Sequence, residues 1–121
     1  MPVRKILIVE DSPTEREVLA ELLSQKGYNV IIAVDGNEGV SKAKSDQPDL
    51  VIMDVVMPGV NGYQATRAIA RDQATKHIPV ILCTTKGQDT DKIWGMRQGA
   101  LAYFVKPIDG KQLLERIAAI A

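Results

Sequence analysis

The chain alternates short, continuously apolar runs with amphipathic segments, and this alternation predicts its elements. Apolar runs of about four to eight residues between turn residues are typical of strands buried on both faces of a sheet. Such runs cover residues 6–9, 30–33, 50–54, 80–83 and 102–105. We therefore predict five strands.

The segments between these runs have helical periodicity. The first helix is predicted over 13–26, because Ser12 suits its N-cap, Pro13 its first position and Gly27 a left-handed end. Glu15 stands three residues after the cap, as in a capping box. The apolar face of this helix consists of Val18, Leu19, Leu22 and Leu23.

Further helices follow the later strands. They are a short one over 37–46, one through Ala65, Ile69 and Ala70, one centred on Ile93 and Met96 and ending near Gly99, and a last one with Leu113, Leu114, Ile117 and Ile120. Strands that alternate with helices form parallel βαβ units with right-handed crossovers. The sequence thus predicts an α/β fold, a doubly wound (βα)5 three-layer sandwich of flavodoxin-like type, with strand order 2-1-3-4-5.

Polar residues stand where the predicted strands end. Glu10 and Asp11 follow the first strand, Asp54 closes the third, Thr84 follows the fourth and Lys106 follows the fifth. With the order 2-1-3-4-5, the first and third strands flank the switch point, where ligands bind in open α/β sheets. We therefore expect three carboxylates in one crevice, with a hydroxyl and an ammonium beside them.

Clustered carboxylates repel one another and stay ionised together only around a cation. Oxygen ligands without histidine favour Mg²⁺, which accepts one or two carboxylates together with phosphate oxygens. Zinc is disfavoured, because the only histidine, His77, has no cysteine or histidine at ligand spacing. We expect His77 at the surface and Cys83 packed within its strand.

A carboxylate can also attack phosphorus, provided that the charge on the phosphoryl oxygens is neutralised. Mg²⁺, Lys106 and the Thr84 hydroxyl would each meet one of these oxygens. Phosphoryl transfer to Asp54 is therefore the leading hypothesis. The plainer alternative is that each acid only caps a helix or ends a strand, which would suit Asp11 alone.

The length and charge of the chain limit the number of domains and the kinds of partner that we expect. The 121 residues fit one domain, over 1–121, and the 15 basic residues balance the 15 acidic ones. This balance gives no reason to expect nucleic acid or an anionic membrane as a partner. The apolar run after Arg4 and Lys5 is too short for a signal peptide or a membrane span, so we expect no membrane insertion and a cytoplasmic location.

Four segments in this order resemble the receiver domains of bacterial two-component response regulators, the CheY-like family: ILIVEDS, DLVIMDVVMPGVNGYQATR, PVILCTT and GALAYFVKP. The resemblance covers the whole chain. It implies a phosphoprotein in phosphorelay signal transduction, in which Asp54 accepts a phosphoryl group from the phosphohistidine of a sensor histidine kinase or phosphotransfer protein. It does not imply a turnover enzyme.

The resemblance also assigns roles around Asp54. Asp11 and Asp54 would bind Mg²⁺ directly, Glu10 would act through water, and the Val56 carbonyl would complete the protein ligands. Thr84 and Lys106 would sense the phosphate. On phosphorylation Tyr103 would turn inward, although its plainer interpretation is a half-buried strand tyrosine. The Lys106-Pro107 bond would be cis.

The partners follow from the same resemblance. A downstream effector would bind the face formed by the fourth helix, the fifth strand and the fifth helix. Trp94 on the fourth helix either meets partners or is a core or half-buried residue. We expect a monomer. The segments VMPGVNGYQATR and TTKGQDTDKIWGMRQGA resemble stand-alone receivers of the chemosensory systems that control type IV pili and twitching motility.

Two alternatives stay open at this point. One is a phosphatase or phosphotransferase of the dehalogenase superfamily, which also uses an aspartate nucleophile at a strand end. That superfamily expects a second aspartate two residues later, where this chain has Val56. The other alternative is a receiver that scaffolds partners without being phosphorylated, although every residue that the chemistry needs is present.

Overall fold

The computed structural model describes residues 2–120. Its strands are β1 (Lys5–Val9), β2 (Asn29–Ala33), β3 (Leu50–Met53), β4 (Val80–Thr84) and β5 (Ala102–Val105). Its helices are α1 (Pro13–Gln25), α2 (Gly36–Asp46), α3 (Gly62–Arg71), α4 (Asp89–Arg97) and α5 (Gly110–Ala118). The predicted alternation is confirmed, and most boundaries differ from the prediction by one or two residues.

The strands form one parallel sheet in the order β2-β1-β3-β4-β5, as predicted. In the centre of the sheet, Val9 of β1 lies in register with Met53 of β3. Glu10 and Asp54 each follow one of these two partners, so the register alone brings their side chains to the same edge. The Asp54 amide also donates to the Val9 carbonyl at 3.1 Å, which extends the pairing to the site.

Two apolar layers cover the sheet. One lies between the sheet and helices α2 and α3, and the other lies between the sheet and helices α1 and α5. Alternate residues of β1 belong to opposite layers, with Leu7 in the first and Ile8 in the second. Because both faces of the central strands are buried, their sequences read as continuous apolar runs.

The ends of α1 agree with the sequence prediction. Ser12 accepts from the Glu15 amide, Pro13 opens the helix, and Gly27 follows it with a φ of 88°. The predicted apolar face is wrong at Val18, which is 66% exposed. Only Leu23 of α1 is fully buried, because the first turns of the helix stand off the sheet and leave a cleft.

The last helix is shorter than predicted. It ends at Ala118, so Ile120 lies beyond it, where its amide donates to the Ile117 carbonyl in a tightened last turn. Ile120 still packs against the layer that contains Ile117. Its apolar character therefore reflects burial rather than continuation of the helix.

Candidate functional site

Four strand ends supply the site, as the sequence predicts. Glu10 follows β1, Asp54 follows β3, Thr84 is the last residue of β4 and Lys106 follows β5. Glu10, Asp54 and Thr84 are each less than a tenth exposed, whereas Asp11 is exposed at the rim. The arrangement is therefore a pocket of mostly buried polar groups with one open side.

The carboxylates of Glu10, Asp11 and Asp54 converge. One oxygen of each lies within 4.8 Å of the others, which is the spacing of ligands around a single cation. The donor set contains only oxygen and includes two buried acids. Such a set fits a hard divalent ion such as Mg²⁺, and an ion there would offset the mutual repulsion of the acids.

Lys106 is the cation that the chain itself supplies. Its Nζ lies 2.7 Å from Glu10 Oε1, 3.1 Å from Asp54 Oδ2 and 3.0 Å from Glu15 Oε1. Glu10 is further fixed because its Oε2 accepts from the Ser12 amide at 3.1 Å. Asp54 is fixed on its other side, where Oδ1 accepts from the Val56 amide at 3.3 Å.

The pKa values in this cluster reflect burial and pairing together. Burial raises the pKa of Glu10 above its ordinary range, although the hydrogen bond from Lys106 acts in the opposite direction. Burial alone would lower the pKa of Lys106, but its hydrogen bonds to Glu10 and Glu15 outweigh this effect and raise it. Lys106 is therefore a permanent cation at neutral pH.

The backbone of Gly62 lies very close to the backbone of Asp54, and this contact holds the loop between them in place. A Cβ atom on Gly62 would lie 2.1 Å from the Asp54 carbonyl oxygen, so this position admits no side chain. Asn61 caps α3 in a capping box with Gln64. The glycine and the cap that mark a turn in the sequence thus also fix the backbone of Asp54.

Thr84 and Tyr103 are connected through the loop that follows β4. The Lys86 amide donates to Thr84 Oγ1 at 3.4 Å, and the Tyr103 hydroxyl donates to the Lys86 carbonyl at 2.7 Å. The ring of Tyr103 packs on Gly95 of α4, where a Cβ atom would come within 2.9 Å of it. Tyr103 is half-buried, as its plainer interpretation expected.

Tyr63 and Glu15 are neighbours of the site whose tertiary contacts the sequence did not reveal. The Tyr63 hydroxyl donates to the Asp91 carbonyl at 3.1 Å and lies 3.3 Å from the hydroxyl of Tyr103. Burial, followed by the hydroxyl–hydroxyl contact with Tyr63, raises the pKa of Tyr103 above its ordinary range. The sequence signal for Glu15 was a capping motif, and for Tyr63 there was none beyond an aromatic residue after a turn.

An apolar cleft of about 300 Å³ adjoins the site between α1 and the segment after β5. Val18, Leu22 and Ile108 line it, and Lys106 and Cys83 also border it. Cys83 is buried in β4, as expected, and burial raises the pKa of its thiol to about 12.

The structure also shows the conformation or exposure of the other residues for which we made a prediction from the sequence. The Lys106-Pro107 bond is cis, as the resemblance implied. His77 is exposed, and Trp94 is 50% exposed on α4, so it is not a core residue. Within residues 2–120, every helix is too short or too polar to cross a lipid bilayer.

Comparison with known sequences agrees with this geometry. The profile of the family described as response regulator receiver domain matches residues 6–118. Protein PilH of Pseudomonas aeruginosa is 52% identical over 116 residues, which is 96% of each chain. The phosphate regulon transcriptional regulatory protein PhoB of Escherichia coli is 35% identical, and the match covers 97% of this chain but 51% of PhoB. The chain thus spans about half the length of that regulator.

Solved structures give the same result. Chemotaxis protein CheY4 of Vibrio cholerae superposes with a TM-score of 0.90 at 31% identity, over 98% of this chain and 99% of CheY4. The receiver domain of a sensor histidine kinase from Pseudomonas aeruginosa superposes with a TM-score of 0.87 at 30% identity, over 95% and 94% of the two chains. That second structure has a magnesium ion coordinated in its active site cleft.

Proposed function

This chain belongs to the response regulator receiver domain family, and from that premise we propose that it is a phosphorylation-dependent switch whose phosphoacceptor is Asp54. The chain is a CheY-like response regulator of two-component signalling. We assign the chemistry to one domain over 1–121, which acts as a phosphoacceptor and not as a turnover enzyme.

One observation supports the choice of Asp54 above the others. Its two carboxylate oxygens differ in their surroundings, since Oδ2 faces Lys106 and Oδ1 faces the Val56 amide. A nucleophile held at both oxygens is oriented before its substrate arrives. Glu10 is fixed in a similar way, but it lies directly against the ammonium at 2.7 Å and serves to position it.

The surrounding residues then have distinct roles. Lys106 neutralises charge on one phosphoryl oxygen, and the Thr84 hydroxyl donates to another. Transfer from a phosphohistidine breaks the phosphorus–nitrogen bond of the donor and forms a bond from phosphorus to an Asp54 oxygen, so the imidazole leaves with the bonding electron pair. With acetyl phosphate the bond that breaks is phosphorus–oxygen, and acetate leaves. The attacking group is a carboxylate that pairs with Lys106, so the step has no proton to remove and needs no general base.

A divalent cation fits the acidic end of the site. Asp11 and Asp54 are proposed as direct Mg²⁺ ligands, Glu10 as a ligand through water and the Val56 carbonyl as the last protein ligand. Held by these residues, Mg²⁺ would supply positive charge that reduces the repulsion between the anionic donor and the acids. The convergence of three carboxylates within 4.8 Å supports this assignment.

The switch reaches the surface through the loop after β4. A phosphoryl group that draws Thr84 inward would change the backbone at Lys86, which holds the Tyr103 hydroxyl. Tyr103 lies against α4, and the exposed side chains of Ile93 and Trp94 on that helix offer an apolar contact surface. We propose that a downstream effector binds there, at the face of α4, β5 and α5.

The phosphoryl donor is a sensor histidine kinase or a phosphotransfer protein. We assign the pathway to the chemosensory control of type IV pili and twitching motility. The support is the resemblance of VMPGVNGYQATR and TTKGQDTDKIWGMRQGA to receivers of those systems, together with 52% identity to Protein PilH. We propose a monomer in the unphosphorylated state, located in the cytoplasm.

The proposal is tested by intact mass spectrometry after incubation with acetyl phosphate. Wild type in Mg²⁺ should gain the mass of one phosphoryl group, and the gain should disappear in Asp54→Ala and on chelation of Mg²⁺. Asp54→Ala should remain folded, because the change removes one of three clustered carboxylates. Circular dichroism checks the fold.

Two further variants test which side chains phosphorylation depends on. Asp91→Ala removes an acid outside the carboxylate cluster and should leave phosphorylation intact. Thr84→Ala should slow it, because a hydrogen bond to a phosphoryl oxygen is lost. A phosphoryl gain in Asp54→Ala equal to that of wild type would place the acceptor elsewhere, and no gain from either acetyl phosphate or a histidine kinase would support the scaffold alternative.

A further inference from the structure

Three carboxylates compete for the Lys106 ammonium in this structure. Glu10, Glu15 and Asp54 lie 2.7, 3.0 and 3.1 Å from its Nζ, and Glu10 and Asp54 accept hydrogen bonds from it. An ammonium group has three N–H donors, so a phosphoryl oxygen that binds Lys106 competes with these carboxylates. The question is which of the three is displaced.

Two of the partners are fixed by second contacts. Glu10 has a side chain that is 6% exposed, and its other oxygen accepts from the Ser12 amide. Asp54 has a side chain that is 9% exposed, and its other oxygen accepts from the Val56 amide. Moving either one would break this second hydrogen bond to a mostly buried carboxylate, which costs more than losing an exposed contact.

Glu15 is held differently. Its side chain is 48% exposed, and among the described residues Lys106 is the one partner of its carboxylate. In a capping box Glu15 would bond to the Ser12 amide, but that amide already donates to Glu10. The Glu15 carboxylate is thus directed to the rim of the site, where it can turn into water without leaving a buried group unpaired.

We propose that Glu15 is a positioning residue that holds Lys106 in the resting state through a displaceable ion pair. Phosphoryl transfer to Asp54 exchanges the Glu15 carboxylate for a phosphoryl oxygen at the ammonium. Glu15 thereby lowers the rate of phosphorylation by competing for Lys106 and by adding negative charge where an anionic donor must enter. This inference rests on the proposed function of Asp54.

The test compares initial rates of phosphorylation by acetyl phosphate in Mg²⁺, below saturation, for wild type, Glu15→Gln and Glu17→Gln. The Gln variant keeps the backbone amide of residue 15, which donates to the Ser12 side chain, so α1 retains its N-terminal cap. We expect the Glu15→Gln rate to rise by about two- to five-fold, the range that partly exposed ion pairs contribute. Glu17→Gln removes the same charge from an exposed position on the same helix and should stay close to wild type.

A conservative variant separates contact from charge. Glu15→Asp keeps the charge but is one methylene shorter, so its pairing with Lys106 should weaken and its rate should lie between those of wild type and the Gln variant. A rate equal to wild type for Glu15→Asp would assign the effect to charge alone and overturn the exchange. Circular dichroism verifies that each variant is folded.

Magnesium affinity provides a readout that does not depend on phosphorylation. Removing a carboxylate near the cluster should leave Mg²⁺ binding unchanged or weaker in Glu15→Gln, as measured by titration calorimetry. Tighter Mg²⁺ binding would explain a faster rate through the metal and overturn the proposal.

The two proposals fail in different ways. Phosphorylation of wild type with equal rates in Glu15→Gln and Glu17→Gln would overturn the exchange at Lys106 while leaving Asp54 as the acceptor. No Asp54-dependent phosphorylation of wild type would overturn both.

Discussion

At the scale of single residues, two tyrosine hydroxyls connect three elements. Tyr63 on α3 donates to the Asp91 carbonyl on α4 and contacts Tyr103 on β5. We predict that Tyr63→Phe lowers the free energy of unfolding by about 1 kcal/mol, the net contribution of one hydrogen bond, because the ring still packs while the bond to α4 is lost. Urea denaturation should show a lower midpoint with an unchanged slope.

Tyr28 provides the control for this prediction. It is also partly buried, but among the described residues its hydroxyl has no hydrogen-bond partner, so Tyr28→Phe should change stability by a few tenths of a kcal/mol at most. Equal losses in Tyr28→Phe and Tyr63→Phe would show that the tyrosine pair adds nothing beyond ordinary packing.

The same scale shows which site residues a sequence can reveal. Glu10 and Asp54 were predictable because each follows a buried strand, and parallel strands end at a common edge. Glu15 was recognised only as a capping residue, since its pairing with Lys106 depends on how α1 stands above the sheet. The topology of the sheet fixes where the strand ends lie. Side-chain partners across a cleft depend instead on the position of a helix relative to the sheet, and no local sequence pattern gives that position.

At the scale of elements, Asp49 connects the starts of β1 and β3. Its Oδ2 accepts from the amides of Arg4 and Lys5, both at 2.9 Å. Hydrogen bonding to the Lys5 amide is the main cause that lowers the pKa of Asp49, even though the residue is exposed. The acid thus anchors the edge of the sheet opposite to the functional site.

The lowered pKa fixes the sign of a pH effect. The stabilisation by Asp49 is fully present above its unfolded pKa of about 3.9 and is lost as pH falls through the lower folded value. We predict that Asp49→Ala costs roughly 0.5–1 kcal/mol at pH 7, a value discounted for exposure. The difference from wild type should shrink below about pH 4 in urea titrations. Asp46→Ala, which alters a neighbouring, partly buried acid without these amide bonds, is the control. A difference that stays constant down to pH 2 would contradict the assignment.

Two apolar residues show that helical periodicity in the sequence does not always predict burial or the end of a helix. Val18 fits the apolar repeat of α1, yet it is 66% exposed because the helix leaves a cleft above Ile52. Ile120 fits the repeat of α5, yet the helix ends at Ala118. In both cases the pattern predicts that an apolar side chain is buried, but the position of the helix axis and the point where the helix ends decide where that side chain lies.

At the scale of the whole molecule, acidic and basic residues are equal in number, yet the pocket at the strand ends is strongly acidic. The chain has no formal net charge, but Glu10, Glu15 and Asp54 contact the ammonium of Lys106. Asp11 adds a further carboxylate beside Glu10 and Asp54. The overall composition therefore gave no reason to expect nucleic acid or a membrane as a partner, but it did not reveal the acidic cluster. The sheet order was needed to predict that the acids meet. A cation that joins them should stabilise the native state more than the unfolded chain, in which they are far apart.

We predict that Mg²⁺ raises the melting temperature of wild type by a few degrees, since binding at ten times the dissociation constant contributes about 1.4 kcal/mol. Chelation with EDTA should reverse the shift. Asp11→Asn keeps the shape of an exposed ligand but removes its charge, so it should lose most of the shift, whereas Glu17→Gln should retain it. Differential scanning calorimetry over a Mg²⁺ series measures the effect. An equal shift in wild type and Asp11→Asn would mean that Mg²⁺ stabilises the protein through general charge screening rather than by binding among the three carboxylates.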